Sequence, residues 1–235
     1  MALKNLHIGD MHGKWDKFFN KDFTPKYNIN DYNKIIFIGD YWDSFDVDFE
    51  TQRKTFNAII ELKKQYPEKF VLLLGNHDVH YLYLDTYYRG NGFQEKYATP
   101  IHTYMIDNAH LFDYFYMYEN VFCSHAGLTS LFLNEIEEKY DLKINDLLDV
   151  KIRNEIKEMF FYTKQNGGFD PFDGPLWCRP NKINNHPPSE NIVQVFGHTY
   201  NCNMEVRMQH NCMYFNIDCD QNLVKIIGGN FEIID

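Results

Sequence analysis

Five times in this chain a hydrophobic run stops at a short cluster of glycine with acid, amide or imidazole residues. The clusters are Gly9-Asp10-Met11-His12-Gly13, Gly39-Asp40-Tyr41-Trp42-Asp43, Gly75-Asn76-His77-Asp78, His125-Ala126-Gly127 and Gly197-His198-Thr199. A strand that ends this way delivers its polar side chains at one edge of a sheet, where ligands gather in α/β folds. Five in succession call for a fold whose strand ends converge on a single site.

The pattern between the clusters fits that demand. Leu3 to Gly9 reads as a strand and is followed by a helix from about Lys14. Lys34 to Gly39 and Phe70 to Leu74 are short apolar runs of buried strand type. Between them, Glu50 to Tyr66 carries Phe56, Ile59, Ile60 and Leu62 at helical spacing and stops before Pro67. Helices are expected over His77 to Tyr88, Pro100 to Ala109 and Lys151 to Tyr162. Phe112 to Tyr118 and Asn120 to Ser124 read as consecutive strands around a turn near Glu119-Asn120. Asn191 to Gly197 is a strand leading into His198, and Met204 to Arg207, Met213 to Ile217 and Leu223 to Ile227 read as a closing meander. This alternation predicts an α/β protein with two packed sheets. Residues 1–235 read as one domain, with 163–190 an irregular loop that Trp177 anchors back onto the body.

Composition narrows the partners. The formal charge of −10 repels a nucleic-acid backbone, so stable nucleic-acid binding is not expected. The 20 Phe and 17 Tyr read as core rings rather than base-stacking platforms. Five cysteines without a Cys-x-x-Cys pair, and no leader or membrane segment, point to a cytoplasmic protein.

Asp10 and His12 are two apart, so on an extended segment their side chains share a face. Asp40 has two carboxylate oxygens and can bridge two ions. Asn76 offers a carbonyl oxygen, and His125 and His198 offer imidazole nitrogens. A mixed oxygen and nitrogen set without thiolate suits a pair of divalent ions, Mn²⁺ first, with Fe, Zn²⁺ or Ni²⁺ as other choices. Such a pair binds and activates phosphoryl groups.

The motifs Asp10-x-His12, Gly39-Asp40-x-x-Asp43, Gly75-Asn76-His77-Asp78, His125-Ala126-Gly127 and Gly197-His198 match, in order and spacing, those of the calcineurin-like metallophosphoesterases. The chain resembles the branch of serine/threonine protein phosphatases and bacterial diadenosine tetraphosphatases over about residues 5 to 220. The resemblance implies a four-layer α/β/β/α sandwich of two mixed β-sheets. It also implies a first metal on Asp10, His12 and Asp40 and a second on Asp40, Asn76, His125 and His198. His77 becomes the catalytic histidine, oriented by Asp43, with Asn76 also meeting substrate. A metal-activated hydroxide attacks phosphorus directly.

The chain also departs from that branch. Ser44-Phe45 stands where the protein phosphatases have Arg-Gly, and Asp78 where they have glutamate. Pro175-Leu176-Trp177-Cys178-Arg179 resembles the family's Leu-Trp loop, so Arg179 becomes the substrate-binding cation. His80, one helical turn beyond His77, reads as structural, as do His7, Cys123 and Asp218. The expected function is a phosphomonoesterase acting on phosphorylated protein, peptide or small molecules. A dinucleoside polyphosphate, nucleotide or diester hydrolase is the alternative, and an inactive phosphate-binding scaffold is the second.

Overall fold

The computed structural model describes residues 3–84, 91–144, 146, 170, 172–188, 191–201, 203–209, 212–219, 223–227 and 230–234. The strands are β1 (Lys4–Ile8), β2 (Lys34–Phe37), β3 (Phe70–Leu73), β4 (Phe112–Asp113), β5 (Phe115–Tyr118), β6 (Val121–Ser124), β7 (Val193–Phe196), β8 (Glu205–Gln209), β9 (Cys212–Asn216), β10 (Leu223–Ile227) and β11 (Asn230–Ile234). The α-helices are α1 (Phe49–Gln65), α2 (Asn76–Tyr83), α3 (Ala98–Asp107), α4 (Ser130–Tyr140) and α5 (Pro180–Asn185).

Two mixed sheets form, one ordered β11-β10-β1-β2-β3-β4 and the other β5-β6-β7-β9-β8. Strands β1 to β4 run parallel, as do β6, β7 and β9. Ile36, Ile38, Val71 and Leu73 of the first sheet pack against Tyr118, Val121, Cys123, Val195 and Phe215 of the second. The outer face of the first sheet is covered by α1 through Phe56, Ile59 and Ile60. That of the second is covered by α4 through Phe132, Leu133 and Ile136. This layering is α/β/β/α, and it leaves β2 and β3 buried on both faces, which is why their runs show no alternation.

Local chemistry sets the helix ends. Asp48 caps α1 by accepting the Thr51 N–H at 3.0 Å, and Thr129 caps α4 through the Phe132 N–H at 3.1 Å. Pro180 opens α5 at a position where no amide donor is needed. Among the cysteines, Cys123, Cys178, Cys212 and Cys219 are free and buried.

Several expectations need correction. The helix after Lys14 is only a single 3₁₀ turn, Trp15–Lys17. Phe18 and Phe19 are both fully buried, so the segment follows their pockets, and it turns back at Phe23 with φ 62°. The run Phe112 to Tyr118 is two strands: β4 joins the first sheet on β3 and β5 joins the second on β6. The closing meander is also split, since β9 pairs with β7 while β10 crosses to β1 in the other sheet. Helix α2 ends at Leu84 in the left-handed region. The helix expected at 151–162 lies outside the described residues. Helix α4 and strand β11 had not been anticipated. Among the described residues, no helix is long and apolar enough to cross a membrane.

Candidate active site

Parallel pairing brings the ends of β1, β2 and β3 to the same edge, and the ends of β6 and β7 meet them from the second sheet. Main-chain bonds lock the exits together. The His12 N–H donates to the Asp40 carbonyl at 2.6 Å, and the Gly197 N–H to the His125 carbonyl at 2.7 Å. His12, Asp40, Asp43 and His198 all have positive φ, at 42°, 52°, 67° and 66°. Non-glycine residues rarely adopt this conformation, and such strain concentrates at functional sites. Asp78 helps hold it: its carboxylate accepts the N–H groups of Asp40, Tyr41 and Gly75 at 2.8, 2.9 and 2.8 Å.

The exits also need glycine for space. A Cβ on Gly75 would lie 2.0 Å from Asp40 Oδ1, and one on Gly197 would lie 1.9 Å from Asp10 Oδ1. The carboxylates of Asp10 and Asp40 therefore lie directly against neighbouring main chain.

The imidazoles are pinned by their far nitrogens. His12 Nδ1 lies 2.8 Å from the Trp42 carbonyl, and His125 Nδ1 lies 3.2 Å from the Ile38 carbonyl. A carbonyl only accepts, so each Nδ1 carries the proton and each Nε2 presents a lone pair. Those lone pairs face oxygen. His125 Nε2 is 2.8 Å from Asn76 Oδ1 and 3.4 Å from Asp40 Oδ2. His12 Nε2 is 3.7 Å from Asp40 Oδ2. His198 Nδ1 also lies 2.8 Å from Asn76 Oδ1, and the His198 N–H donates to Asp10 Oδ2 at 3.0 Å.

Titration behaviour agrees. Burial holds His12 and His125 down at about 3, and His198 well below its ordinary value. Burial pushes Asp10 up to about 6 and Asp78 up to about 7. Asp40 rises well above the carboxylate range through burial and then through Asp10 and Asp78. Neutral imidazoles and crowded buried carboxylates, with lone pairs converging on one another, form a donor set that a cation reconciles. Asp10, Asp40 and His125 could share one ion, since one donor atom from each lies within 4.8 Å of the others.

Beside this set stands a second cluster of Asp43, His77 and His80, equally compact. His77 Nδ1 donates to Asp43 Oδ2 at 2.8 Å and His80 Nε2 donates to the same oxygen at 2.7 Å. Asp43 Oδ1 accepts from the Tyr81 hydroxyl and from Gln94 Nε2, the latter at 3.2 Å. Burial pushes the Asp43 carboxyl up, but the hydrogen bonds from His77 and His80 outweigh it and leave it at about 2. His80, expected to be structural, is fully buried and binds the same carboxylate oxygen as His77. Tyr81 and Gln94 had no motif to reveal them.

Arg179 lies half-buried at the start of α5, with Nη1 3.4 Å from Thr199 Oγ1, one residue past His198. Its positive charge adds, after burial, to the low values of His125 and His198. Trp177 is buried and its ring meets His198 edge-on at 6.0 Å, so the described stretch around Trp177 packs against the site. His7 is a core residue, as expected, between the Val224 carbonyl at 3.0 Å and the Tyr118 hydroxyl at 3.2 Å.

Comparison with known proteins settles the family. The calcineurin-like phosphoesterase family profile matches residues 3–211. The chain belongs to the calcineurin-like phosphoesterases. It carries compact Asp and His groups consistent with the dimetal site typical of that family. A Schizosaccharomyces pombe protein, provisionally named a serine/threonine-protein phosphatase, is 30% identical over 132 residues. The match takes in 52% of this chain and only 38% of that protein. Among solved structures, a cold-active protein-tyrosine phosphatase of a psychrophilic Shewanella aligns with TM-score 0.62 and 15% identity, over 100% of this chain and 81% of its own. A Saccharomyces cerevisiae protein serine/threonine phosphatase aligns at TM-score 0.58 and 14% identity, over 99% and 79%. At these identities the likeness is one of fold.

Proposed function

We propose that this metallophosphoesterase is a two-metal phosphomonoesterase acting on phosphorylated proteins, peptides or small molecules. The observation that carries the reading is the pair of lone pairs, on His12 Nε2 and His125 Nε2, aimed at Asp40 Oδ2 with His77 and Asp43 alongside. Asp10, His12 and Asp40 would hold one ion. Asp40, Asn76, His125 and His198 would hold the other. Two bound divalent ions, Mn²⁺ being the first choice, supply Lewis acidity and lower the pKa of attacking water.

The chain's own groups do the rest. Asp43 keeps the His77 proton on Nδ1 and fixes the ring plane, which leaves Nε2 for the ester oxygen. In its protonated form His77 gives that oxygen a proton as the P–O bond breaks. The Arg179 guanidinium grips the non-bridging phosphate oxygens in a planar, two-pronged contact, and the Asn76 amide helps seat the phosphoryl group.

A second reading, hydrolysis of a dinucleoside polyphosphate, is favoured by Asp78 and by Ser44 in place of a phosphate-gripping arginine. The test is hydrolysis of p-nitrophenyl phosphate by metal-stripped protein, with and without Mn²⁺. Metal-dependent turnover is expected. Silence there alongside cleavage of diadenosine tetraphosphate would transfer the assignment to the second reading.

A further inference from the structure

Gln52 lies near the start of α1, among the residues that Thr55, Phe56 and Ile59 bury, and is itself 1% exposed. A buried amide is unfavourable unless its polar atoms find partners. Gln52 Oε1 accepts the Ser44 N–H at 3.4 Å and Gln94 Nε2 at 3.0 Å. Gln52 Nε2 donates to the Val47 carbonyl at 2.7 Å and to Gln94 Oε1 at 3.5 Å. The two glutamines thus form a reciprocal amide pair. Gln94 Nε2 goes on to Asp43 Oδ1 at 3.2 Å, the oxygen that also accepts the Tyr81 hydroxyl. The Gln94 main-chain N–H donates to that hydroxyl at 2.8 Å, which turns the Tyr81 proton towards Asp43.

Neither amide can turn over. A flipped Gln52 would set its oxygen against the Val47 carbonyl and its nitrogen against the Ser44 N–H. A flipped Gln94 would set its oxygen against the Asp43 carboxylate. The Gln52 stem is held as well. A Cβ on Gly13, at φ +69°, would meet Gln52 Cγ at 2.3 Å, so the stem lies flat on the turn that follows His12. Asp48 already caps α1, so the amide is not spent on the helix end. It reaches across to the carboxylate that holds His77.

We propose that Gln52 is a positioning residue for proton donation, acting through its amide pair with Gln94 on Asp43 and so on the His77 ring. This rests on the reading of His77 as proton donor to the leaving oxygen. Without the Gln52 amide, Gln94 loses the partner that aims its Nε2 at Asp43, and the turn at Ser44 and Val47 loses its tie to α1. Asp43 then rocks, and the His77 ring rocks with it.

The experiment compares wild type with Gln52→Met, which keeps the stem over Gly13 and removes the amide. Both are loaded with Mn²⁺ and assayed on glycerol 2-phosphate, whose leaving oxygen needs a proton, and on p-nitrophenyl phosphate, whose leaving oxygen needs it least. The kcat on glycerol 2-phosphate relative to that on p-nitrophenyl phosphate should fall about three- to tenfold, the worth of one net hydrogen bond, with KM and metal content nearly unchanged. Gln94→Met should give a similar fall, and the double variant should fall by less than the product of the two. Gln94→Met alone carries the test if Gln52→Met does not fold. An unchanged ratio overturns the proposal, whatever the loss of stability. In parallel, solvent exchange of the His77 Nδ1 proton is followed by NMR on the Zn²⁺-loaded, histidine-labelled protein, and it should quicken in Gln52→Met. If wild type hydrolyses neither ester, this arm decides. Faster exchange then leaves the brace standing while the phosphomonoesterase reading falls, and unchanged exchange removes the brace as well.

Discussion

His77 and His80, three residues apart on α2, donate to the same oxygen of Asp43, at 2.8 and 2.7 Å. Tyr81 and Gln94 occupy the other oxygen. A carboxylate with four donors cannot rotate, so the His77 ring inherits its orientation from a braced anion. His80 is fully buried against Asp43, which under the role proposed for His77 gives it a positioning part.

Replacing His80 should therefore act through His77. His80→Phe is expected to lower kcat about tenfold with KM and metal content nearly unchanged, and to lower stability by roughly 1–3 kcal/mol as Asp43 loses a buried donor. His80→Gln, which keeps a donor, should recover part of the rate. Steady-state kinetics beside chemical unfolding separates the two effects. A stability loss with no change in kcat would reduce His80 to a core residue.

His77→Asn should spare metal content and slow turnover by roughly 10²–10⁴, the usual reach of acid–base help. The deficit should be largest for alkyl esters, whose leaving oxygens most need a proton, and smallest for nitrophenyl esters. A deficit that is equal across leaving groups would remove His77 from proton donation.

Gly197→Ala puts a methyl 1.9 Å from the starting position of Asp10 Oδ1. The carboxylate must move, so metal affinity should fall about tenfold or more, on the scale of losing support behind a ligand. Metal titration against the wild type reads this directly. Unaltered affinity would mean that Asp10 is free to shift, contrary to the packing described.

His7 predicts an acid weakness away from the site. Burial lowers its pKa from 6.5 to about 4, so the fold favours the neutral ring. Between those values the unfolded chain binds a proton that the folded chain refuses. Stability is complete above 6.5 and is lost as pH falls towards 4, by up to roughly 3 kcal/mol from this residue alone. The facing titratable group, Tyr118, stays protonated throughout, its pKa raised first by burial. The buried site histidines add losses of the same sign, so His7→Gln should flatten the acid limb of urea stability without abolishing it. An identical limb in the variant would contradict the prediction.

The donor residues were legible because each cluster is local. Glycine, carboxylate and imidazole sit within a few residues of a strand end, and period and composition mark such ends. What bound them to one another was not local. His80, Tyr81 and Gln94 hydrogen-bond Asp43, and no spacing in the chain encodes that contact. The division of Phe112 to Tyr118 between two sheets was equally hidden, because strand propensity does not say which neighbour a strand will find. The helix expected from about Lys14 gave way to a single 3₁₀ turn, because Phe18 and Phe19 follow their own pockets.

The central claim is that Asp40 unites two metal sites that hydrolyse phosphate esters. Metal content and p-nitrophenyl phosphate turnover, measured together on wild type and Asp40→Asn after loading with Mn²⁺, test it most directly. The account predicts about two ions per wild-type chain, with loss of both ions and nearly all turnover in the variant. An Asp40→Asn protein that kept its metals and its full rate would contradict it.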